Sequence, residues 1–324
     1  MPSYRGTVEA EAGPLRLDRY VSECLGLLSR SQVKIRSLEA RLNGKPVKLS
    51  RMVKTGDRLD LLWKDPETPD LVPQDIPLTV IFENSRVIVV DKAQGMVVHP
   101  GAGNFRGTLV NALLFRRLRR EGPAAEPFPI PRGEDGSPAG TWPRPGIVHR
   151  LDKDTSGVMI AAWDGEALAF LSEQFKTRKV RKTYTAIVRG VPGEPAGRIE
   201  TPISRDGRDR KRFAAVPGKG KYALTLYRIV RSWKTHSLLL VRPRTGRTHQ
   251  IRVHLRYLGF PVAGDPVYGG GDPLFPDISL MLHAKSLALT LPGEGEGRIF
   301  KSPLPARFKA MIARLDDMEK AGRG

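Results

Sequence analysis

A single cysteine, Cys24, stands among the 324 residues. Without a second thiol, neither an intrachain disulfide nor a zinc site built on cysteines can form, and a reducing compartment is expected. Carboxylates are scarce as well: 34 Asp and Glu face 54 Lys and Arg, leaving a formal charge of +20 and a pI near 10.3. A surface this basic attracts polyanions at long range and releases their counterions on contact, so nucleic acid is the expected partner. No apolar run approaches the roughly 18 residues of a membrane span. Residues 1–13 lack the apolar stretch of a signal peptide, so a soluble, cytoplasmic protein with no membrane partner is expected. Hydrophobic residues at 40% still supply a sizeable core, which excludes wholesale disorder, and the length predicts about two domains.

Proline marks the boundaries. Pro66, Pro69, Pro73 and Pro77 fall where apolar periodicity is nearly absent, so residues 65–77 read as a linker between domains 1–64 and 78–318. A second proline-rich stretch, 119–146, reads as a surface insertion. Before the linker, Leu15, Tyr20, Val21, Cys24 and Leu25 recur at helical spacing, and Ser29 is placed to cap a second short helix from Arg30. Asn43-Gly44 predicts a tight turn and residues 48–62 one or two strands, a unit suited to binding more than to enclosing a cleft. After the linker, apolar runs at 87–90, 158–162, 184–188, 224–230 and 238–241 predict strands, while 108–118, 166–175 and 308–315 have helical spacing. Hairpin-like spacing of the last two strands argues for a mixed, largely antiparallel sheet, hence an α+β fold.

Two kinds of segment carry chemistry. In the small domain Arg16, Arg19, Arg30, Gln32, Lys34, Arg36, Arg41 and Lys45 place polar and cationic groups along two helices and a turn, as phosphate contacts require or as a solvated face would. In the large domain Asp152 sits beside His149, Arg150 and Lys153 in a turn leading into the apolar strand that Gly157 begins, a candidate nucleophile or base, although an Asp in a polar turn is by itself more often a surface residue. The kinase His-Arg-Asp loop is excluded because Leu151 intervenes, and Gly101-Ala-Gly-Asn-Phe-Arg-Gly107 lacks dinucleotide-loop spacing. His249 and His254 are five apart, on different faces of a helix, which speaks against a metal site. Arg205, Arg208, Arg210, Lys211 and Arg212, among glycines, read as a basic loop on RNA phosphates or in solvent.

The segment from Pro145 through His149-Arg-Leu-Asp152 to Ile160 resembles the signature of RluA/RluD-type pseudouridine synthases, which implies that Asp152 is the catalytic aspartate. Asp91-Lys-Ala-Gln-Gly-Met-Val-Val-His-Pro100, Arg181-Lys-Thr-Tyr-Thr-Ala186 and Arg244-Thr-Gly-Arg-Thr-His-Gln-Ile-Arg-Val-His-Leu255 with Gly264-Asp-Pro-Val-Tyr-Gly269 resemble further blocks of that family. By this resemblance Tyr184 is the active-site tyrosine and Arg247 the buried arginine. Arg16-Leu-Asp-Arg-Tyr, Ser29-Arg-Ser-Gln, Asn43-Gly-Lys and Lys54-Thr-Gly-Asp resemble an S4 RNA-binding domain. Ala93, where the family favours proline, and Ser279-Leu-Met before Leu282 are departures that bear on substrate choice and stability.

A carboxylate can trap or stabilise an oxocarbenium-like sugar carbon, or take a sugar proton. Arg247 is expected to hold Asp152 through a forked ion pair, with a phosphate contact as its alternative. Tyr184 offers a face to a flipped base and a hydroxyl for proton transfer, or is an ordinary strand residue. The resemblance thus implies an S4 module followed by a catalytic domain of pseudouridine synthase fold, acting without cofactor or metal on large-subunit ribosomal RNA or an assembling ribosomal particle, as a monomer. Transfer RNA as substrate, a noncatalytic RNA-binding or ribosome-assembly factor, and a glycosidase that releases free base are the alternatives. Arg16, Arg19, Arg30, Gln32, Lys34, Arg36, Lys45, His149, Arg150, Arg210, Lys211 and Arg212 are the expected RNA contacts.

Overall fold

The computed structural model describes residues 3–9, 13–28, 33, 38–63, 71–101, 104–122, 145–207, 209 and 212–322. The chain divides into two compact units, one drawn from residues 1–70 and the other from residue 71 onward.

In the first unit, β1 (Ser3–Thr7) precedes β2 (Leu15–Arg16) and a short helix α1 (Leu17–Arg19) that continues as one π turn, Tyr20–Cys24. The second helix expected from Arg30 lies outside the described residues. Then come β3 (Glu39–Leu42), β4 (Lys45–Pro46), β5 (Met52–Val53) and β6 (Arg58–Leu62), with an antiparallel sheet in the order β1-β6-β3-β4 and a separate β2-β5 pair. Asn43 (φ 52°) and Gly44 (φ 80°) make the expected hairpin turn, since both central residues must enter the left-handed region. Leu17, Tyr20 and Val21 bury their side chains against Val53, Leu59 and Leu61, which is why this small unit can hold a core at all.

The second unit runs β7 (Thr79–Glu83), β8 (Val87–Lys92), α2 (Leu109–Glu121), β9 (Ser156–Ala162), α3 (Gly165–Lys176), β10 (Arg181–Arg189), β11 (Ala196–Glu200), β12 (Ile203–Arg205), β13 (Phe213–Ala215), β14 (Leu224–Ser232), β15 (His236–Pro243), α4 (Gln250–Tyr257), β16 (Leu282–Thr290), β17 (Gly297–Lys301) and α5 (Ala306–Ala321). Among the described residues the main sheet has the order β11-β14-β15-β10-β16-β9-β8-β7, with β17 also on β16, and every pairing in it is antiparallel except β16 with β9. The fold is α+β, as the sequence implies.

Strands β8 and β9 show how the sequence builds this sheet. Val87–Val90 of β8 and Val158–Ala162 of β9 are apolar at every position, because successive side chains point to opposite faces and each face is covered. Val87, Val89, Val158 and Ile160 pack on Ala167, Leu168 and Leu171 of α3. Ile88, Val90, Met159 and Ala161 pack on Leu109, Val110 and Leu113 of α2. Capping fixes where those helices start: Thr108 and Asn111 exchange bonds at the head of α2, and Asp164 accepts from the Ala167 amide at the head of α3.

Within the expected linker, residues 71–77 pack on the second unit. Leu71 and Leu78 join the α2 core, Asn111 Nδ2 donates to Val72 O at 2.8 Å, and the Gln74 amide donates to Asn111 O at 3.0 Å. The chain from Leu71 is therefore laid along α2, whereas residues 65–70 of the expected linker, like most of the 119–146 stretch, lie outside the described residues. Among the described residues no helix is long and apolar enough to cross a membrane.

Candidate active site

Parallel pairing of β9 with β16 sets Gly157 opposite Ala284, and antiparallel pairing of β16 with β10 sets Ala284 opposite Tyr184. Three strands thus share one row, and the turn that leads into it carries Asp152, whose carbonyl accepts from the Thr155 amide at 3.1 Å. Gly157 is required there. Its φ is 115°, and a Cβ would lie 2.2 Å from the Ala284 carbonyl oxygen, so any side chain would push β16 away.

The same turn is pinned from beneath. Lys92, wholly buried, donates from Nζ to Ala93 O (2.8 Å), Met96 O (2.8 Å) and Lys153 O (3.0 Å), joining the loop after β8 to the loop of Asp152. Burial pushes its amine down to about 8, with the Asp154 and Asp152 charges opposing. Three acceptors call for an ammonium's three protons, so the geometry favours the charged form.

The arginine that meets Asp152 is Arg252, not Arg247. Arg252, on the inner face of α4, sends Nη1 to Asp152 Oδ2 at 3.3 Å while its Nε and Nη2 fork onto Asp265 at 2.7 and 2.8 Å. Asp265 also accepts from the Val267 and Tyr268 amides, both at 2.9 Å. Burial pushes the Asp265 carboxyl up, but the Arg252 fork and these amides outweigh it and hold it below the usual carboxylate range. Arg252 is raised in turn: burial lowers it, and the bonds and charges of Asp265 and Asp152 more than compensate. Arg247 points elsewhere because Gln250 shapes the turn before α4. Gln250 Oε1 accepts from the Arg247 amide (3.0 Å) and Thr245 Oγ1 (2.7 Å), and the Arg247 side chain donates to Tyr222 O at 3.0 Å.

Asp152 keeps 19% of its side chain exposed, toward a cavity of about 580 Å³. Tyr184 lines that cavity, and its hydroxyl is pushed well above the usual phenol range by burial and then by the Asp152 charge, so it is protonated at neutral pH. Among the described residues Asp152 is the one acidic residue on the cavity wall, against Arg150, Lys176, Arg178, Lys182, Arg244, Arg247 and Arg252. A polyanion is therefore accommodated around a single negative group. Lys182 and Arg178 were not singled out from the sequence, although Lys182 sits two residues before Tyr184 on the same face of β10.

The expected RNA contacts divide. Arg150 is exposed at the cavity and Lys45 is exposed on β4. Arg16 and Arg19 are half exposed, each bonded to a neighbouring acid, Asp18 and Glu23. Arg30, Gln32, Lys34, Arg36, Arg210 and Lys211 lie outside the described residues. Two of the expected contacts, His149 and Arg212, are half-buried and engaged within the protein. His149 stacks on Phe175 at 4.6 Å and accepts the Ile160 amide at 3.2 Å, so its ring braces β9; burial, with the Lys182 charge adding, pushes it down to about 3. Arg212 turns inward, donating through Nε to Val267 O at 3.0 Å and lying over the Tyr268 ring. His254 bonds Thr225 Oγ1 and Thr201 O at 2.9 and 3.0 Å within the core, whereas His249 faces Tyr268 and Asp152. The two histidines therefore serve different places.

Among the described residues, the one parallel junction of the sheet thus sets Asp152 and Tyr184, with Arg252 from α4, on a cation-lined cavity. Residues 86–257 match the RNA pseudouridylate synthase family. The chain is 42% identical over 308 residues to the ribosomal large subunit pseudouridine synthase D of Borreliella burgdorferi, covering 93% of this chain and 90% of the relative. It is 37% identical over 327 residues to the protein of the same description from Xanthomonas campestris, covering 96% and 92%. Among solved structures, human RNA pseudouridylate synthase domain containing 4 matches with a TM-score of 0.57 at 28% identity, covering 74% of this chain and 93% of that one. The chain belongs to the RNA pseudouridine synthases, an enzyme family of the RluA/RluD type, and its substrate is RNA.

Proposed function

We propose that the protein isomerises uridines of large-subunit ribosomal RNA to pseudouridine, with Asp152 as the catalytic group and the first unit, as an S4-type module, gripping the folded RNA. The observation that carries this reading is Asp152, the lone carboxylate of the cavity wall among the described residues, oriented by Arg252 and ringed by cations. In the reaction the bond from N1 to the sugar C1′ breaks, a bond from C5 to C1′ forms, the C5 hydrogen leaves as a proton and N1 regains one. Atoms balance without oxidant or reductant. Asp152 stabilises or traps the sugar centre, or takes a sugar proton, while the uracil turns. Tyr184, protonated and half-buried on the cavity wall, supplies a stacking face and a hydrogen-bond donor to the flipped base. Arg150, Lys182 and Arg244 are placed for the flanking phosphates.

Ribosomal RNA is favoured as substrate by the two bacterial relatives, both named ribosomal large subunit pseudouridine synthase D, and by the resemblance of the first unit to an S4 domain. Mapping pseudouridines in total RNA from cells with and without the gene tests it. Sites missing from large-subunit ribosomal RNA in the deletion strain are expected. Sites missing only from transfer RNA would reassign the substrate, and an unchanged map would contradict the proposal.

A further inference from the structure

His249 opens α4 in a left-handed conformation, φ 54° and ψ 18°, which L-residues adopt only when their surroundings enforce it. Its imidazole is caught between two neighbours. On one side Nδ1 lies 2.8 Å from the Tyr268 hydroxyl; on the other Nε2 lies 3.8 Å from Asp152 Oδ1. The Tyr268 oxygen is itself committed, because the Phe213 amide donates to it at 2.9 Å. A phenol with one in-plane acceptor position filled turns its own proton the other way, here onto Nδ1. The remaining proton of the neutral ring then sits on Nε2 and faces the carboxylate, whereas the other tautomer would point a lone pair at it.

Phe213 belongs to the β12–β13 hairpin, and its ring meets His249 edge-on at 5.8 Å. Tyr268 follows directly on the Asp265 turn that anchors Arg252, and it stands edge-on to His249 at 5.6 Å, with the Arg252 guanidinium 5.1 Å from its ring centre. The two supports of Asp152, Arg252 on one oxygen and His249 on the other, therefore share one buttress.

We infer that Tyr268 and His249 are positioning residues for Asp152: the hairpin amide of Phe213 orients the Tyr268 hydroxyl, the hydroxyl selects the His249 tautomer, and the Nε2 proton sets the second carboxylate oxygen as the site closes on RNA. This rests on the reading of Asp152 as the catalytic group. At 3.8 Å the contact is longer than a hydrogen bond and has room to shorten on closure. The groups facing the ring are Asp152, Arg252, Asp265, Arg150 and Tyr268; burial holds the imidazole below its usual range, with Asp152 opposing, which keeps it neutral near pH 7.

The test is single-turnover isomerisation of a structured ribosomal RNA transcript carrying tritium at uridine C5, read by tritium release at saturating enzyme, across pH. Tyr268→Phe keeps the ring and removes the hydroxyl. It is expected to slow turnover about tenfold, the effect of one well-placed hydrogen bond, without weakening RNA binding. Its acidic limb is expected to move to higher pH, because Nδ1 is freed to take a proton. His249→Gln keeps an N–H toward Asp152 without needing Tyr268, so it should retain more activity than His249→Ala, and adding Tyr268→Phe to it should cost nothing further. Equal losses from Tyr268→Phe in both backgrounds with an unmoved pH profile, or no loss in either, would overturn the inference. Asp152→Asn run beside them separates the two failures: if it is inactive while Tyr268→Phe is normal, only the positioning role falls, and if it is active both do.

Discussion

Arg252 and Arg247 lie five residues apart in one basic stretch, yet their surroundings differ in kind. Arg247 stands among Arg244, Thr245, Gly246 and Thr248, polar neighbours that a surface turn allows. Arg252 is set between Ile251 and Val253 with Leu255 beyond, all buried. A charge carried between such buried apolar neighbours must be paired, because desolvating it alone costs several kcal/mol or more. That was the signal in the sequence for the arginine that holds Asp152. Replacing Arg252 by Lys keeps the charge but cannot fork onto Asp265 and reach Asp152 together, so turnover should fall at least about tenfold. Arg252→Ala should also lower stability by about 3–5 kcal/mol, because it strands Asp265 in the core. Arg247→Lys should leave both nearly unchanged. Single-turnover rates and urea denaturation of the three variants check this, and a larger loss for Arg247→Lys than for Arg252→Lys would return the ion pair to Arg247.

Strands β8, β9, β10, β14 and β15 were legible because short runs rich in aliphatic, β-branched and aromatic residues, bounded by turn formers, leave few alternatives. Other elements gave no such signal. In β16 the sequence Leu282-His-Ala-Lys-Ser-Leu interrupts any apolar period, since His283 is buried by bonding Ser156 Oγ at 2.9 Å and not by being apolar. β1 is an edge strand with alternate residues exposed, and α4 has only eight residues after a left-handed start. The parallel β9–β16 junction could not be read either, because it joins segments more than a hundred residues apart and rests on an absent side chain at Gly157. Gly157→Ala should cost at least roughly 1–3 kcal/mol from its backbone conformation alone. It should cost activity too, since Ala284 and Tyr184 lie in the displaced row. Chemical denaturation and turnover measure both; an alanine variant of normal stability would contradict this junction.

The charge of +20 governs the protein as a body, and its solution behaviour should follow from where charge is and is not allowed. Two histidines set the response to acid: half-buried His149 is pushed down to about 3 and fully buried His283 to about 4, in each case first by desolvation. Their folded values lie below the unfolded value of about 6.5, so between pH 6.5 and 4 the unfolded chain takes up protons that the folded chain refuses. Stability should therefore be full above pH 6.5 and fall by up to about 1.4 kcal/mol per pH unit for each ring as acid is added. Melting temperature against pH checks this, and a flat profile from pH 7 to 4 would contradict the burial of these rings. RNA binding should be salt-dependent, with roughly 0.7 to 0.9 of an ion released per phosphate neutralised. Removing residues 1–64 should flatten that dependence, and an unchanged slope would mean that the first unit binds something other than RNA. The central claim, that one carboxylate amid this positive field performs the isomerisation, is tested most directly by Asp152→Asn in single turnover on a large-subunit ribosomal RNA transcript with binding measured in parallel. One charge among a surplus of twenty changes the long-range field little, so the variant should bind the RNA as wild type does and form no pseudouridine; near-normal pseudouridine formation would contradict the account.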